Sequence, residues 1–182
     1  YNYKCSDQPL VSFCNAMMIV STKNNVTIVF FWASTDRVVD APPQARTTII
    51  VDDYREAYWW LRDNTQEDAR VMAWWDYGYQ INGIAERTSI ADGNTWNHEH
   101  IATLGRCLTS PEKRAHKIVR HLADYVLVWA GGGGDDLAKS PHMARIGNSV
   151  YSDICPGDPT CSKFGFDRNR NPTPMMAASL LY

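Results

Sequence analysis

Residues 70–78 read Arg-Val-Met-Ala-Trp-Trp-Asp-Tyr-Gly, and this stretch decides how the chain is interpreted. The first five residues predict a short buried strand, and the final glycine allows a tight turn after it. Trp75 and Asp76 would then follow the C-terminal end of a strand, where α/β folds tend to place binding sites. An indole N–H can only donate a hydrogen bond, and an ionised carboxylate can only accept one. Trp74, Trp75 and Asp76 therefore predict a receptor for one Ser or Thr hydroxyl.

A simpler interpretation of the same motif is structural. Both tryptophans would belong to the core, where buried aromatic side chains are common. Asp76 would then cap the helix that follows. The motif alone does not decide between these two interpretations.

The segments around this motif alternate between strand and helix patterns. Strands are predicted at 28–32, 47–51, 71–75, 88–91 and 124–129, and helices at 54–63, 79–85, 97–107 and 110–122, with Ser110 as the cap of the last one. A further helix is predicted from Asp136, with a kink or restart at Pro141, and a last strand at 177–181. This order predicts an α/β fold with a central, mainly parallel sheet flanked by helices, and irregular, loop-rich N- and C-terminal segments.

The domain organisation predicted from the sequence has two parts. Residues 1–45 are a poorly readable N-terminal segment that could pack on the domain, and residues 46–182 are predicted to form the globular domain. The 182 residues carry 18 basic and 20 acidic side chains, a formal charge of -2, which argues against a nucleic-acid partner. The longest apolar run, 26–33, is shorter than the roughly 20 residues that span a bilayer. Because the sequence starts at Tyr1 and ends on an apolar stretch, we expect a fragment of a longer protein.

The cysteines indicate an oxidising environment. Cys155 and Cys161 flank a turn-rich loop that predicts a disulfide, and Cys5 and Cys14 could form another. Cys107 is expected to be a buried free thiol. Asn25 begins an Asn-Val-Thr triplet, a possible glycosylation site. These features favour a lumenal or extracellular setting.

A metal-binding interpretation rests on His98, Glu99 and His100. Histidines at i and i+2 do not share a helix face, so capping and packing are favoured over ligation. A metal hydrolase using these residues would require a metal to copurify. We predict no metal site in this chain.

A second group of polar residues lies about sixty residues after the tryptophans. Asp136 and Lys139 are i, i+3 neighbours that could pair on a helix, and Met143 lies one turn further on. A thioether is adaptable and would suit contact with a small methyl group. Taken alone, this group is equally typical of a surface ion pair with an apolar neighbour.

The two groups together resemble the catalytic subunit of the oligosaccharyltransferase. Residues 74–78, Trp-Trp-Asp-Tyr-Gly, match the WWDYG motif of that family's C-terminal lumenal domain, and Asp136, Lys139 and Met143 match its DK motif. The resemblance runs from about residue 47 to residue 182 and includes residues 52–62, 92–97 and 123–128. One departure is that the glycosylation sequons common around residues 94–97 in eukaryotic relatives are absent here.

The resemblance implies a function and a set of roles. This family transfers a lipid-linked oligosaccharide en bloc to Asn in Asn-x-Ser/Thr sequons, which is protein N-glycosylation. Trp74, Trp75 and Asp76 would hold the sequon Ser or Thr, and Met143 would contact the threonine methyl group. Tyr77, Gly78, Asp136 and Lys139 would support this pocket.

The resemblance also implies what lies outside the chain. The enzyme would be a dolichyl-diphosphooligosaccharide–protein glycotransferase of the endoplasmic reticulum membrane, with this domain facing the lumen. Its partners would be the acceptor polypeptide, the lipid-linked oligosaccharide and the membrane, reached through transmembrane segments that this sequence lacks. Those segments would hold a Mn²⁺ or Mg²⁺ cofactor, so the fragment alone is expected to be inactive and to contain no catalytic residue. The alternative is a non-enzymatic peptide-binding module.

Overall fold

The computed structural model describes residues 16–23, 26–33, 53–130 and 136–182. Within these ranges, five strands form one sheet. They are β1 (Ala16–Lys23), β2 (Val26–Ala33), β3 (Arg70–Met72), β4 (Thr88–Ser89) and β5 (Tyr125–Ala130). Their order across the sheet is β1-β2-β5-β3-β4. Only the β1–β2 pair is antiparallel, whereas β2, β5, β3 and β4 run parallel. The predicted α/β fold with a mainly parallel sheet is confirmed.

Strand β5 lies at the centre of this sheet. Val126, Leu127 and Val128 are all buried, as expected for a parallel strand that is covered on both faces. β5 pairs with β2 on one side, from Thr27 opposite Tyr125, and with β3 on the other. Strand β2 was predicted, whereas β1 was not. Both strands of the N-terminal segment are therefore part of the same sheet.

Six helices surround the strands in the described part of the chain. They are α1 (Asp53–Asn64), α2 (Gly78–Gly83), α3 (His98–Thr109), α4 (Glu112–Val119), α5 (Asp136–Val150) and α6 (Pro174–Ala177). Asn97 caps α3 as predicted, because its side chain accepts a hydrogen bond of 3.1 Å from the His100 N–H. No helix among these residues is both long enough and apolar enough to cross a lipid bilayer.

Two local predictions, the helix cap at Ser110 and the strand at 177–181, are wrong. Ser110 does not cap α4; it is buried beyond the end of α3, and its carbonyl accepts a hydrogen bond from the Leu180 N–H. The tail forms α6, with Pro174 in its first turn, instead of a strand at 177–181. A single β-bridge between Pro111 and Ser179 holds this tail against the start of α4. The long-range contact with the tail has thus overridden the local capping signal at Ser110.

The restart predicted at Pro141 as one of two alternatives is absent, because α5 continues through this residue. Proline has no N–H with which to bond the carbonyl four residues earlier, at Leu137. The Ser140 hydroxyl donates to that carbonyl instead, at 2.7 Å. Helix α5 packs closely on α3, because a Cβ on Gly105 would lie only 2.5 Å from the Met143 carbonyl oxygen. Met143 is fully buried in the core.

The cysteine predictions divide into two groups. Cys155 and Cys161 form the predicted disulfide, with their Cα atoms 5.4 Å apart. Cys107 is the predicted buried free thiol, and burial raises its pKa to about 12. Cys5, Cys14 and Asn25 lie outside the described residues, as does the predicted strand at 47–51.

Candidate functional site

The motif forms a tight turn after the short strand β3. Residues 75–77, Trp-Asp-Tyr, make one turn of 3₁₀ helix, and Gly78 begins α2 immediately afterwards. A Cβ on Gly78 would lie 2.3 Å from the Ala91 carbonyl oxygen, so the backbone approaches that segment too closely for any other residue. Strand β3 ends at Met72, so the prediction that it continues to Trp75 is wrong.

The two tryptophans occupy different environments. Trp74 is only 2% exposed and belongs to the core, whereas Trp75 is half-buried. Their ring centroids are 6.4 Å apart, with an angle of 59° between the planes. The core interpretation thus describes Trp74, while Trp75 retains surface that a ligand could contact.

Only one of the two carboxylate oxygens of Asp76 accepts a hydrogen bond from a described residue. Lys139 of α5 donates a hydrogen bond of 2.6 Å to its Oδ2 atom. Its other oxygen, Oδ1, is buried and accepts no hydrogen bond from any residue that the structure describes. Asp76 therefore does not cap a helix, and it presents a buried acceptor without a donor, which is rare in folded proteins.

Lys139 also contacts Tyr77, which lies near a second buried carboxyl group, that of Asp136. The Lys139 ammonium donates to the Tyr77 hydroxyl at 2.8 Å and lies 4.4 Å from the centroid of the same ring. The Oδ2 atom of Asp136 accepts a 2.9 Å hydrogen bond from the main-chain N–H of Trp129. Lys139 thus binds Asp76, and the Asp136–Lys139 ion pair that helical spacing allows is not formed.

Burial dominates the electrostatics of this cluster. Burial raises the pKa of Asp136 to about 7, although the Trp129 N–H, the Lys139 charge and the nearby Tyr77 hydroxyl all act to lower it. Burial also raises the pKa of the Tyr77 hydroxyl, and the charges of Asp136 and Asp76 raise it further. Tyr77 therefore remains a neutral hydroxyl at physiological pH.

The raised pKa of Asp136 makes stability depend on pH. In the unfolded chain its pKa returns to about 4, so between about pH 4 and 7 the folded chain binds more protons. Stability should therefore fall as pH rises through this window, by up to about 1.4 kcal/mol per pH unit. Asp136→Asn keeps an acceptor for the Trp129 N–H and should flatten this dependence. Hydrogen exchange at the Trp129 amide of the full-length protein, from pH 5 to 7.5, measures the change. Equal pH dependence in both proteins would contradict the assignment.

Comparison with known proteins places these motifs in one family. Residues 67–131 match the model of the STT3/PglB/AglB core domain. The dolichyl-diphosphooligosaccharide–protein glycosyltransferase subunit stt3 of Schizosaccharomyces pombe is 38% identical over 95% of this chain and 25% of the relative. The chain belongs to the STT3/PglB/AglB family.

One further curated relative agrees with this membership. Subunit STT3 of Saccharomyces cerevisiae is 51% identical over 56% of this chain and 15% of the relative. The solved C-terminal globular domain of an oligosaccharyltransferase from Archaeoglobus fulgidus is 18% identical, covers 69% of this chain and 95% of that structure, and gives a TM-score of 0.39. This chain spans 25% of the length of the Schizosaccharomyces pombe relative and 15% of the length of the Saccharomyces cerevisiae relative.

The remaining residues predicted for the site differ in accessibility. Met143 is fully buried, so in this structure its side chain presents no surface to a bound threonine. The contact that the resemblance implies for Met143, like that for Trp74, stays a prediction. His142, which the sequence analysis did not consider, is exposed next to Met143 and meets the Trp74 ring edge-on at 6.2 Å.

The Mn²⁺ or Mg²⁺ that the resemblance implies has no fitting group of ligands among the residues that the structure describes. Over the described ranges, no three His, Cys, Asp or Glu side chains are grouped so that they could hold a metal ion. The His98 ring is hydrogen-bonded to the Ser149 hydroxyl at 2.8 Å, whereas His100 contributes its main-chain N–H, which donates to the Asn97 side chain.

Proposed function

We propose that this chain is the acceptor-recognition domain of an oligosaccharyltransferase and binds the Ser or Thr of Asn-x-Ser/Thr sequons. One observation carries the proposal. The Oδ1 atom of Asp76 is a buried acceptor without a donor, next to the half-buried Trp75, while Lys139 fixes the other oxygen. A hydroxyl is the group that can donate to this oxygen and also accept from an indole N–H.

The proposed reaction of the whole protein follows from its relatives' names. It would transfer a lipid-linked oligosaccharide to Asn of the acceptor polypeptide, in the endoplasmic reticulum membrane, with this domain facing the lumen. The Cys155–Cys161 disulfide is compatible with that oxidising compartment. The donor, the membrane and a Mn²⁺ or Mg²⁺ ion would be bound by segments beyond this sequence. This domain would supply selectivity for the acceptor.

Selectivity would arise from the hydrogen bonds of the hydroxyl. A sequon with Ala in place of Thr would leave the Asp76 oxygen and the Trp75 N–H unpaired, at about 1–3 kcal/mol for each buried group. Trp74 would act by supporting the Trp75 ring, because it has almost no exposed surface of its own. Binding through the Trp74 indole would require that ring to move, and a hydroxyl likewise reaches the buried Oδ1 atom of Asp76 only when a neighbouring side chain moves aside.

A peptide titration of the full-length protein tests the proposal. We expect an Asn-x-Thr peptide to bind at least about tenfold more tightly than the matched Asn-x-Ala peptide. Equal affinities would overturn sequon recognition at this site. Selective binding without glycan transfer, in the full-length protein supplied with donor and metal, would instead favour the peptide-binding module.

A further inference from the structure

We propose that Tyr77 is a positioning residue for the acceptor site. Its hydroxyl holds the Lys139 ammonium on the Oδ2 atom of Asp76, so that Oδ1 stays available for the sequon hydroxyl. This inference rests on the proposed function and adds a residue that acts on the acceptor through Lys139.

The contacts of Tyr77 place it between the two motifs. Its side chain is buried, and its hydroxyl accepts a hydrogen bond from Lys139 at 2.8 Å. Its ring packs against the Trp129 ring of β5, with the centroids 5.9 Å apart. The Lys139 ammonium is therefore held, through Tyr77, against the central strand.

The hydroxyl matters because lysine alone is a poor positioning group. An ammonium is a compact charge with three donors on a flexible stem, so it can bond either oxygen of a carboxylate. The bond to the Tyr77 hydroxyl fixes where the ammonium lies and directs it to Oδ2. Without that bond, Lys139 could move to Oδ1 and compete with the sequon hydroxyl.

Tyr77→Phe removes the hydroxyl and keeps the ring that the ammonium contacts at 4.4 Å. In the full-length enzyme we expect the KM for an Asn-x-Thr peptide to rise about tenfold, with little change in kcat. The matched control is Tyr58→Phe. Tyr58 is also buried and packs edge-on against Trp129 at 5.8 Å. Within the described residues its hydroxyl bonds neither Lys139 nor Asp76, so this control should leave the KM unchanged.

A double-mutant cycle separates positioning from a structural role. If Tyr77 acts through Lys139, then Tyr77→Phe combined with Lys139→Met should raise the KM no further than Lys139→Met alone. Independent effects would multiply in the double variant, and that result would overturn the inference.

Lys139→Arg provides a test that leaves Tyr77 intact. A guanidinium keeps the charge but can bind both oxygens of a carboxylate. We therefore expect this variant also to raise the KM for Asn-x-Thr peptides, and an unchanged KM would contradict the need for an available Oδ1. If Tyr77→Phe does not fold, the KM of Lys139→Arg alone decides whether the inference holds.

The outcomes distinguish the inference from the function on which it rests. Failure of the native enzyme to separate Asn-x-Thr from Asn-x-Ala peptides would remove the proposed function itself. Clear separation by the native enzyme, with an unchanged KM in the folded Tyr77→Phe variant, would remove only the role of Tyr77.

Discussion

Replacement of Asp76 by alanine in the full-length enzyme is expected to lower kcat/KM for Asn-x-Thr peptides by about 100-fold or more. The substitution removes the buried oxygen that is proposed to accept the sequon hydroxyl. It also leaves the Lys139 ammonium without the carboxylate that it bonds at 2.6 Å. Both losses act on the acceptor site, so the rate should fall much further than for loss of an exposed ion pair. Steady-state transfer to a labelled peptide measures the effect.

Asp153→Ala is the matched control for this experiment. Asp153 accepts hydrogen bonds from Arg106, at 2.8 Å, and from Arg114, and its side chain is 47% exposed. Removing this carboxylate also breaks an ion pair, but away from the motif, so transfer should continue at the native rate. If Asp76→Ala retained near-native transfer while remaining folded, the site assignment would be wrong. Trp75→Ala provides an independent test of the indole donor.

The sequence predicted best what depends on local pattern. The apolar run of β5 predicted a buried strand, and the cap at Asn97 predicted the start of α3. The sequence predicted less well where a distant segment decides the outcome. Ser110 has the local features of a helix cap, but Leu180 and the C-terminal tail bind it in another role. The strand β1 is not defined by a clear boundary in the sequence and becomes evident from its pairing with β2.

The same distinction applies to the candidate site. The motif residues were identified because a carboxylate beside indoles has a clear chemical meaning. The sequence alone does not identify the partner of Lys139, since helical spacing favours Asp136. Only the position of α5 in the fold brings the ammonium to Asp76. The Trp129 main-chain donor is invisible in a sequence, because every non-proline residue carries the same N–H. The burial of Met143 likewise depends on the close approach of α5 to α3 at Gly105.

Met143→Ala is expected to destabilise the domain by about 2–5 kcal/mol, because it removes a fully buried side chain from the core. The cavity would lie next to the α3–α5 contact. The two backbones already touch there, so the helices cannot move closer to fill it. Loss of transfer in this variant would therefore follow from loss of structure. The thermal midpoint of the full-length protein, measured beside its transfer rate, should fall with the activity. Native stability in Met143→Ala would contradict the burial of this side chain.

Met143→Leu separates the packing role from the methyl contact that the resemblance implies. Leucine has nearly the same volume, so this substitution should cost less than about 1.5 kcal/mol. If Met143 only fills the core, the ratio of Thr to Ser acceptor use should remain native, since the sequon hydroxyl reaches Asp76 and Trp75 in both cases. A changed ratio at unchanged stability would show that the thioether reaches the acceptor, which requires α5 to expose Met143 when the peptide binds. We expect the native ratio, because Met143 has no exposed surface while Lys139, one turn earlier on the same helix, keeps its bond to Asp76.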